Sequence, residues 1–375
     1  MRVVMISKAL VAAAYRGKLA ALAREPDLEL IAIVPPEWRD HRGIARLEPG
    51  PTPNYRLIVT PVWLNGHYHL HFYPYLRSWL STLRPDIVHV DEEPYNLAAW
   101  QATRLAIRLG AHACFFTWQN LYRRYPPPFC WFEQACYRWS SYAIAGNQEA
   151  ARVLRTKGYA GPLAVIPQFG IDPTQFSPGE PPPDVPFTVG YAGGLVPEKG
   201  VDLLIQAMAG LPGEWQLRLA GDGFDRPRLQ RLVQQLGVAS RVTFLARLPS
   251  TAMPQFYRQL HVLVLPSYER PNWKEQFGRV LIEAMACGIA VVGSACGEIP
   301  QVIGDAGLLF PICDVNALRA RLVQLQADPA LRRALGERGR QRVLERFTHE
   351  SIAAATAQVY RELLAGPVLP SSLGI

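Results

Sequence analysis

No apolar run in the sequence reaches the roughly 18 residues that a membrane-spanning helix needs. Residues 1–18 carry Lys8 inside an apolar stretch and no signal-peptide cleavage pattern, which indicates a first strand. Cysteine is also scarce: the six cysteines form no C-x-x-C pair, and Cys287 and Cys296 lie in core-like runs. These absences predict a cytoplasmic protein with reduced thiols.

The composition is typical of a globular protein with a large core. Of the 375 residues, 49% are hydrophobic and 19% are charged, and this length allows two or three domains. The net charge of +8 favours anionic partners, such as a nucleotide or anionic lipid headgroups. No nucleic-acid recognition motif accompanies this charge, so we expect no nucleic acid partner.

Short apolar segments alternate with helical segments along most of the chain. This alternation predicts an α/β fold with two doubly wound, Rossmann-like parallel sheets. The predicted strands are residues 2–7, 28–34, 55–60, 87–90, 113–117, 142–146 and 163–166 in the first half, and 187–192, 215–220, 242–245, 262–265 and 290–293 in the second.

A proline-rich segment separates the two halves and is typical of a semi-rigid linker. We therefore predict an N-terminal domain at 1–168, a linker at 169–186 and a C-terminal domain at 187–350. Within the first domain, residues 13–24 are predicted to be helical and residues 39–53 to be a loop.

The segment NWKEQFGRVLIEAMACG predicts a loop that turns into a short apolar helix at Gly278. Glu283 has apolar neighbours on both sides, and a buried charge there needs a binding partner. The helix start, with the amides of Phe277 and Gly278, suits a phosphate, while Glu283 could bind ribose hydroxyls and Glu275 a sugar. The alternative is that Glu275 is a solvated loop residue and that Glu283 points to water.

The stretch EQFGRVLIEAMACG resembles the E-x7-E signature of retaining GT-B glycosyltransferases of family four. The segments GGLVPEKGVDLLIQA, AGDG, RVTFLARLPSTAMPQFYRQLHVLVLPS and GEIPQVIGDAGLLF resemble the C-terminal domain of that family in the usual order. The resemblance covers residues 187 to about 347 closely and the first half more loosely. It implies the GT-B fold, with two Rossmann-like domains facing a crevice and a C-terminal helix, here 351–375, crossing back to the N-terminal domain.

The same resemblance implies a retaining, metal-independent glycosyltransferase of the hexosyltransferase type, active in polysaccharide biosynthesis. Its donor would be a UDP- or GDP-type nucleotide sugar, bound as a co-substrate without a further cofactor, and its acceptor a hydroxyl of a saccharide or a lipid-linked molecule. It would be cytoplasmic, with peripheral association at the inner membrane face as a further expectation. The alternatives are a nucleotide-sugar epimerase on the same fold and a non-catalytic scaffold that binds nucleotide sugars.

On the donor side, the resemblance assigns Lys199 to the diphosphate, and both Lys199 and Glu275 to catalysis. Gly194 stands where the family has an arginine, so one expected cation is missing unless Lys274, Arg270 or Arg279 replaces it. Turn chemistry explains the glycine of AGDG equally well, and helix capping is the alternative for GEIPQVIG. The predicted donor-binding residues are Gly193, Gly194, Lys199, Gly221, Phe277, Gly278, Glu283, Gly297 and Glu298.

The segment FTWQN stands where the family has Thr-x-His-Asp, so Gln119 takes the place of a histidine that touches the transferred sugar. A glutamine can hydrogen-bond a sugar hydroxyl but cannot act as a base. We therefore assign Gln119 to the catalytic set and Asn120 to the acceptor side. If the alignment is shifted by one residue, Trp118 is a stacking platform instead.

Two further polar segments are candidates for the acceptor side. HVDEEPYN has three acids in a row at the end of a predicted strand, where folding does not require them, and NGHYHLHFYPY places three histidines at alternate positions. The histidines could bind zinc, form a polar acceptor pocket or be plain surface, and we expect no metal because no further ligand has suitable spacing. The predicted acceptor-side residues are Asn65, His69, Asp91, Glu92 and Asn120.

The segment YRRYPPPFCWFEQACYRW mixes aromatic residues with arginine. Such a mixture could lie on a membrane surface or contact a lipid-linked acceptor. The alternative is a proline turn with a core helix behind it.

Overall fold

The computed structural model describes residues 1–40 and 43–366. The chain divides into two compact units, called here the N-terminal unit and the C-terminal unit. The N-terminal unit comprises Met1–Gly170 and the chain from His349 onward, and the C-terminal unit comprises Ile171–Thr348.

The N-terminal unit is built around a seven-stranded sheet with the order β5-β2-β1-β6-β7-β8-β9, in which every pair is parallel. A separate antiparallel pair, β3 and β4, precedes β5. The strands are β1 (Arg2–Ile6), β2 (Glu29–Val34), β3 (Glu37–Asp40), β4 (Gly43–Arg46), β5 (Arg56–Val59), β6 (Ile87–Val90), β7 (His112–Thr117), β8 (Tyr142–Ala145) and β9 (Leu163–Val165). The helices are α1 (Gly17–Leu22), α2 (Leu76–Leu83), α3 (Leu97–Arg108), α4 (Phe129–Trp139) and α5 (Gln148–Thr156).

The C-terminal unit has a six-stranded parallel sheet with the order β12-β11-β10-β13-β14-β15. Its strands are β10 (Phe187–Ala192), β11 (Trp215–Ala220), β12 (Val242–Leu245), β13 (Val262–Leu265), β14 (Ala290–Ser294) and β15 (Leu308–Phe310). Its helices are α6 (Val201–Ala209), α7 (Arg226–Gln235), α8 (Met253–Arg258), α9 (Arg279–Ala286), α10 (Ile299–Ile303), α11 (Val315–Ala327) and α12 (Pro329–Arg346).

Helices cover both faces of the N-terminal sheet, because alternate residues of its strands enter two different cores. Val4 and Ile6 of β1 belong to one core, while Val3 and Met5 of the same strand belong to the other. Helix α13 (His349–Ala365) contributes Tyr360 and other apolar residues to the second of these cores. Strands buried on both faces are typical of parallel sheets, and they confirm the predicted α/β fold with two doubly wound units.

Two local predictions in the first half are wrong. Residues 39–53, predicted as a loop, include part of the β3–β4 pair, which begins beside the buried Trp38. The predicted helix over 13–24 contains a short 3-10 turn, Ala13–Tyr15, followed by α1, which begins only at Gly17. A side chain at Gly17 would overlap the ring of His349 on α13. The start of α1 is therefore constrained by packing against α13 and not by the local sequence alone.

Candidate functional site

The strand order of the C-terminal sheet reverses between β10 and β13, since β11 and β12 lie on one side and β14 and β15 on the other. Parallel strands place their carboxyl ends at one edge, and ligands of open α/β sheets bind outside that edge where the order reverses. The loops that follow β10, β13 and β14 therefore define the candidate donor site. They contain most of the residues predicted from the sequence for the donor side.

Lys199 and Glu275 form an ion pair at this edge, with 2.6 Å between Nζ and Oε2. The hydroxyl of Ser267, two residues after β13, donates to the same carboxylate oxygen at 2.8 Å. Lys199 Nζ also lies 5.0 Å from the ring centre of Trp273. Glu275 is only 7% exposed, so the interpretation of this residue as a solvated loop side chain is wrong.

The loop after β14 holds the backbone of Glu275 in place. The amide of Glu298 donates to the Glu275 carbonyl at 3.1 Å, and Gly297 has a φ of +53°. A Cβ at Gly297 would overlap that carbonyl oxygen, so only glycine permits this approach. Gly221 is similar, because a Cβ there would overlap the Gly193 carbonyl. These glycines have a packing reason that needs no ligand, and their donor-binding role stays a prediction.

Gly194 differs from the other glycines of the site. It is exposed, its φ lies outside the left-handed region, and a Cβ placed there would meet only Val196 Cγ2 at 3.9 Å. Its carbonyl accepts a hydrogen bond from the Tyr191 hydroxyl at 2.8 Å. A β-carbon therefore fits at this position without rearrangement of its neighbours.

Three cations were candidates to replace the arginine that is missing at Gly194. Lys274 pairs with Glu269 at 2.9 Å, and Arg279 pairs with Glu283 at 2.8 Å. Arg270 is exposed, and its guanidinium lies 5.6 Å from the ring centre of Tyr268. Within residues 1–40 and 43–366, no carboxylate forms an ion pair with Arg270. Of the three candidates, Arg270 is therefore the one whose charge is not neutralised by a described carboxylate.

Glu283 lies in the middle of α9 and is 8% exposed, so the alternative in which it points to water is wrong. Its Oε1 accepts from Arg279 Nε at 2.8 Å, one helical turn earlier, and its Oε2 accepts from the Tyr257 hydroxyl at 2.7 Å. Gly278 precedes the helix with a φ of +77°, while Phe277 packs edge-on against Phe347 at 5.7 Å between ring centres. The protein itself thus supplies the partners that a buried Glu283 needs.

In the N-terminal unit the strand order reverses between β1 and β6, and charged residues again follow both strands. Lys8 forms an ion pair with Glu92, and His71 Nε2 lies 3.6 Å from the same carboxylate. Burial alone would raise the pKa of Glu92, but Lys8 and His71 lower it to about 2. Asp91 accepts a hydrogen bond from Gln168 Nε2 at 2.9 Å through Oδ2. Glu92 is therefore an internal counterion, which makes it a weaker acceptor-side candidate than Asp91.

Glu93 was not among the predicted site residues. The Thr117 hydroxyl donates to it at 2.6 Å and the Trp118 amide at 2.8 Å. Burial raises its pKa to about 7, although both hydrogen bonds and Lys8 act to lower it. The sequence shows only that Glu93 is the third acid after β6. It does not show that Glu93, unlike Glu92, has no described cation close to its carboxylate.

Gln119 lies in a buried polar cluster. Its side-chain amide is 3.4 Å from the Tyr125 hydroxyl, and its Oε1 accepts from Lys157 Nζ at 3.3 Å. Lys157 also pairs with Glu133 at 2.6 Å, where both side chains are nearly inaccessible. Asn120 is buried beside Gln119 in sequence, and its Nδ2 has no hydrogen-bond partner among the described residues.

The two remaining acceptor-side candidates lie on the segment before α2. Asn65 bonds backbone groups of β3, accepting from Arg39 at 2.9 Å and donating to Glu37 at 3.2 Å. His69 is surrounded by aromatic rings, with Phe129 at 5.1 Å and Tyr95 at 5.4 Å between ring centres. Asn65 thus has a structural role beside β3, whereas His69 lies in an aromatic cluster.

Two features are absent from the described ranges. None of their helices combines the length and the apolar character that crossing a bilayer requires. No group of three or more His, Cys, Asp or Glu side chains within the same ranges has a geometry that could hold a metal ion.

Comparisons with solved structures define the class of the fold. Sucrose-phosphate synthase from Thermosynechococcus elongatus superposes with a TM-score of 0.73 at 24% identity, covering 97% of this chain and 99% of that one. HepE from Anabaena, in complex with UDP and glucose, superposes with a TM-score of 0.71 at 17% identity, covering 96% and 100%. At these identities the likeness shows the fold, and the chain has the predicted GT-B architecture.

The sequence comparisons show the family. The protein-family model described as Glycosyltransferase Family 4 matches residues 3–175, and the family model described as Glycosyl transferases group 1 matches residues 174–342. The chain belongs to the family-four, group 1 glycosyltransferases, as the resemblance predicted. A D-inositol 3-phosphate glycosyltransferase of Streptomyces bingchenggensis is 32% identical over 245 residues, which are 59% of this chain and 52% of that protein. The chain spans about half the length of the curated relatives it matches.

Proposed function

We propose that the protein transfers a sugar, with retention of anomeric configuration and without a metal, from a nucleotide-sugar donor to a hydroxyl of a saccharide or lipid-linked acceptor. The observation that carries this proposal is the Lys199–Glu275 ion pair at the carboxyl edge of the C-terminal sheet, where the strand order reverses. A lysine held there by a carboxylate is a cation placed where a diphosphate binds in such folds.

In this account Lys199 exchanges its contact with Glu275 for the donor diphosphate. Glu275 then loses its contact with Lys199 and can hydrogen-bond the sugar. Ser267 still donates to one oxygen of Glu275 and keeps the carboxylate oriented. The two cations Lys199 and Arg270 would stabilise the negative charge of the leaving diphosphate, the role that a metal has in other transferases. The acceptor hydroxyl attacks the anomeric carbon of the sugar from the leaving-group face while the bond between that carbon and the diphosphate oxygen breaks, and an oxygen of the departing diphosphate takes the hydroxyl proton.

Glu283 is proposed to bind the ribose of the donor. A carboxylate offers about four acceptor positions, and Tyr257 and Arg279 use two of them. Ribose hydroxyls can therefore donate to Glu283 without displacing its internal partners. The amides of Phe277 and Gly278 at the start of α9 are proposed for the phosphates, because a helix N-terminus favours negative charge.

The donor class is proposed from relatives as well as from the site. HepE of Anabaena was crystallised with UDP and glucose, and a UDP-type donor for this chain accords with that complex. Glycan or polysaccharide synthesis and a cytoplasmic location, with peripheral membrane contact, complete the proposal.

The acceptor is proposed to bind the N-terminal unit through Asp91, Asn120, Gln119 and His69. Asp91 Oδ1 and Asn120 Nδ2 are buried and have no hydrogen-bond partner in the part of the chain that the structure describes. A sugar hydroxyl can donate to the first and accept from the second, which suits a saccharide better than an apolar acceptor.

The experiment that tests the proposal is donor turnover by the full chain. UDP- and GDP-sugars are incubated without an acceptor, and the released sugar is followed by proton NMR in the wild type and in Lys199→Ala. We expect slow hydrolysis of one donor that first releases the donor's own anomer, and a loss of about 100-fold in the variant. Release of the opposite anomer would contradict retention, and no turnover together with tight donor binding would favour the scaffold alternative.

A further inference from the structure

A cavity of about 240 Å³ lies in the C-terminal unit at the other edge of the sheet. It is lined by residues that directly precede β13 and β14, namely His261 and residues 288–289, and these mark the amino ends of the strands. The segment 178–184 forms one wall and α12 forms another. The cavity is therefore separate from the loops of the candidate donor site, which follow the carboxyl ends of the same strands.

Four arginines line this cavity: Arg258 at the end of α8, and Arg332, Arg333 and Arg340 on α12. Three of them are held by backbone carbonyls. Arg258 Nε donates to the Ser177 carbonyl at 2.8 Å, Arg332 to that of Leu325 at 2.7 Å, and Arg340 to that of Ala286 at 2.6 Å. A carbonyl fixes the direction of a guanidinium but does not neutralise its charge.

The acids of the cavity do not balance these arginines. Arg332 pairs with Asp184 at 2.7 Å, but that carboxylate is 70% exposed. Glu180 and Glu337 also line the cavity and are exposed, so the acids lie toward solvent while Arg258, Arg332 and Arg340 are at least partly buried. In the described ranges, no carboxylate forms an ion pair with Arg258, Arg333 or Arg340. Positive charge therefore concentrates inside the cavity.

His261 adds a neutral donor to the same cavity. Its Nδ1 accepts from the Thr188 amide at 2.9 Å, so the ring proton is on Nε2. The residue is only 8% exposed, and Nε2 lies near the Pro183 carbonyl without a hydrogen bond of good geometry to any described residue. Burial, followed by the charge of Arg332, lowers the pKa of the imidazole and keeps it neutral near pH 7.

We propose that this cavity is a second ligand site, which binds the phosphate group of a small molecule through the guanidiniums of Arg333, Arg340 and Arg258 and the Nε2–H of His261. Guanidinium groups match phosphate oxygens by paired hydrogen bonds, and a preset donor beside them adds direction. The ligand would bridge the segment 178–184 and α12, both within the C-terminal unit. This inference does not depend on the proposed transferase activity.

Calorimetric titration of the full chain at low salt tests the inference, with inorganic phosphate and glucose 6-phosphate as probes. Arg333→Gln is the main variant, because this exposed side chain makes no described hydrogen bond that folding could lose. Arg338→Gln is the matched control, an exposed arginine of the same helix that does not line the cavity. His261→Asn removes the imidazole donor, and Lys199→Ala removes the main cation of the candidate donor site.

We expect binding to the wild type, to Arg338→Gln and to Lys199→Ala with similar affinity. Arg333→Gln and His261→Asn should each weaken it about tenfold, the loss expected for one charge-assisted or buried hydrogen bond. Tighter binding of glucose 6-phosphate than of phosphate would identify a phosphate monoester as the ligand, and equal affinities would identify the free anion. No binding of either probe at millimolar concentration, equal loss in Arg338→Gln, or loss in Lys199→Ala would overturn the proposal.

Discussion

At the scale of single residues, the candidate donor site is a set of charges that the protein already pairs. Lys199 with Glu275, and Arg279 with Glu283, are ion pairs whose carboxylates are both at least 90% buried as side chains. Removing one partner from such a pair leaves the other charge uncompensated, which costs more than the pair contributes. Variants at these positions must therefore be judged on stability as well as on binding.

Glu283→Ala should lower stability and weaken donor binding together. It leaves the Tyr257 hydroxyl and the Arg279 guanidinium without their partner, at a cost of about 3 kcal/mol. Tyr257→Phe is the control, because it removes one hydrogen bond, about 1 kcal/mol, and leaves the carboxylate in place. Urea unfolding and donor KM measure the two effects. A normal KM in a folded Glu283→Ala protein would rule out the ribose assignment.

Gly194→Arg should tighten donor binding. The position is open, and an exposed cation next to a diphosphate contributes about 1 kcal/mol, which lowers the donor KM about fivefold. Gly194→Gln is a neutral control of similar reach. Steady-state kinetics of both variants decide the matter, and an equal effect of glutamine and arginine would show that charge is not the cause.

At the scale of structural elements, the loop after β6 contains two neighbouring acids with opposite pKa shifts. Glu92 is held charged by Lys8 and His71, with a pKa of about 2, while burial raises the pKa of Glu93 to about 7. An ordinary glutamate titrates near 4.5. The folded protein therefore retains a proton on Glu93 between about pH 4.5 and 7, where the unfolded chain has lost it.

Stability should consequently fall as the pH rises through that window. The difference in pKa sets an upper limit of about 3 kcal/mol on the contribution of Glu93. Glu93→Gln retains an oxygen that accepts from the Trp118 amide, and its amide group can donate to the Thr117 hydroxyl oxygen, so the stability of this variant should change less between pH 5 and 7.5. Denaturant unfolding of both proteins at the two pH values measures this, and an identical pH dependence would contradict the assignment.

The sequence predicted the elements of the C-terminal unit well and those of the first 60 residues less well. Strands β10 to β13 have the predicted limits, because each is a short, buried apolar run between turn residues. The β3–β4 pair was missed because its residues do not alternate clearly and only Trp38 is buried in β3. The start of α1 was misjudged because the close packing of Gly17, where this helix begins, is against His349 of α13, which lies more than 300 positions away in the sequence.

The candidate site shows the same limit. The resemblance selected Lys199 and Glu275 individually, but their contact joins residues that are 76 positions apart. The contact of Glu283 with Tyr257 could not be predicted either, since Tyr257 lies on α8, outside the E-x7-E stretch. Spacing along a helix indicates which residues share a face, whereas pairing between loops depends on the strand order of the sheet.

At the scale of the whole molecule, the two units have the same design. Each is a parallel sheet whose strand order reverses once near its middle, and each places an ion pair after the strands on both sides of that reversal: Lys8 with Glu92, and Lys199 with Glu275. The membership in the group 1 glycosyltransferases rests on matches to both units, since one family pattern covers residues 3–175 and the other 174–342.

The proposed function depends on the Lys199–Glu275 pair marking the site of the donor diphosphate. Calorimetric titration of UDP and GDP into the wild type, Lys199→Ala and the charge-matched control Arg338→Gln tests it most directly. We expect one nucleotide to bind the wild type and the control equally, and to bind Lys199→Ala at least about tenfold more weakly, the loss expected for a charge-assisted hydrogen bond. Equal affinity of Lys199→Ala and the wild type for that nucleotide would contradict it.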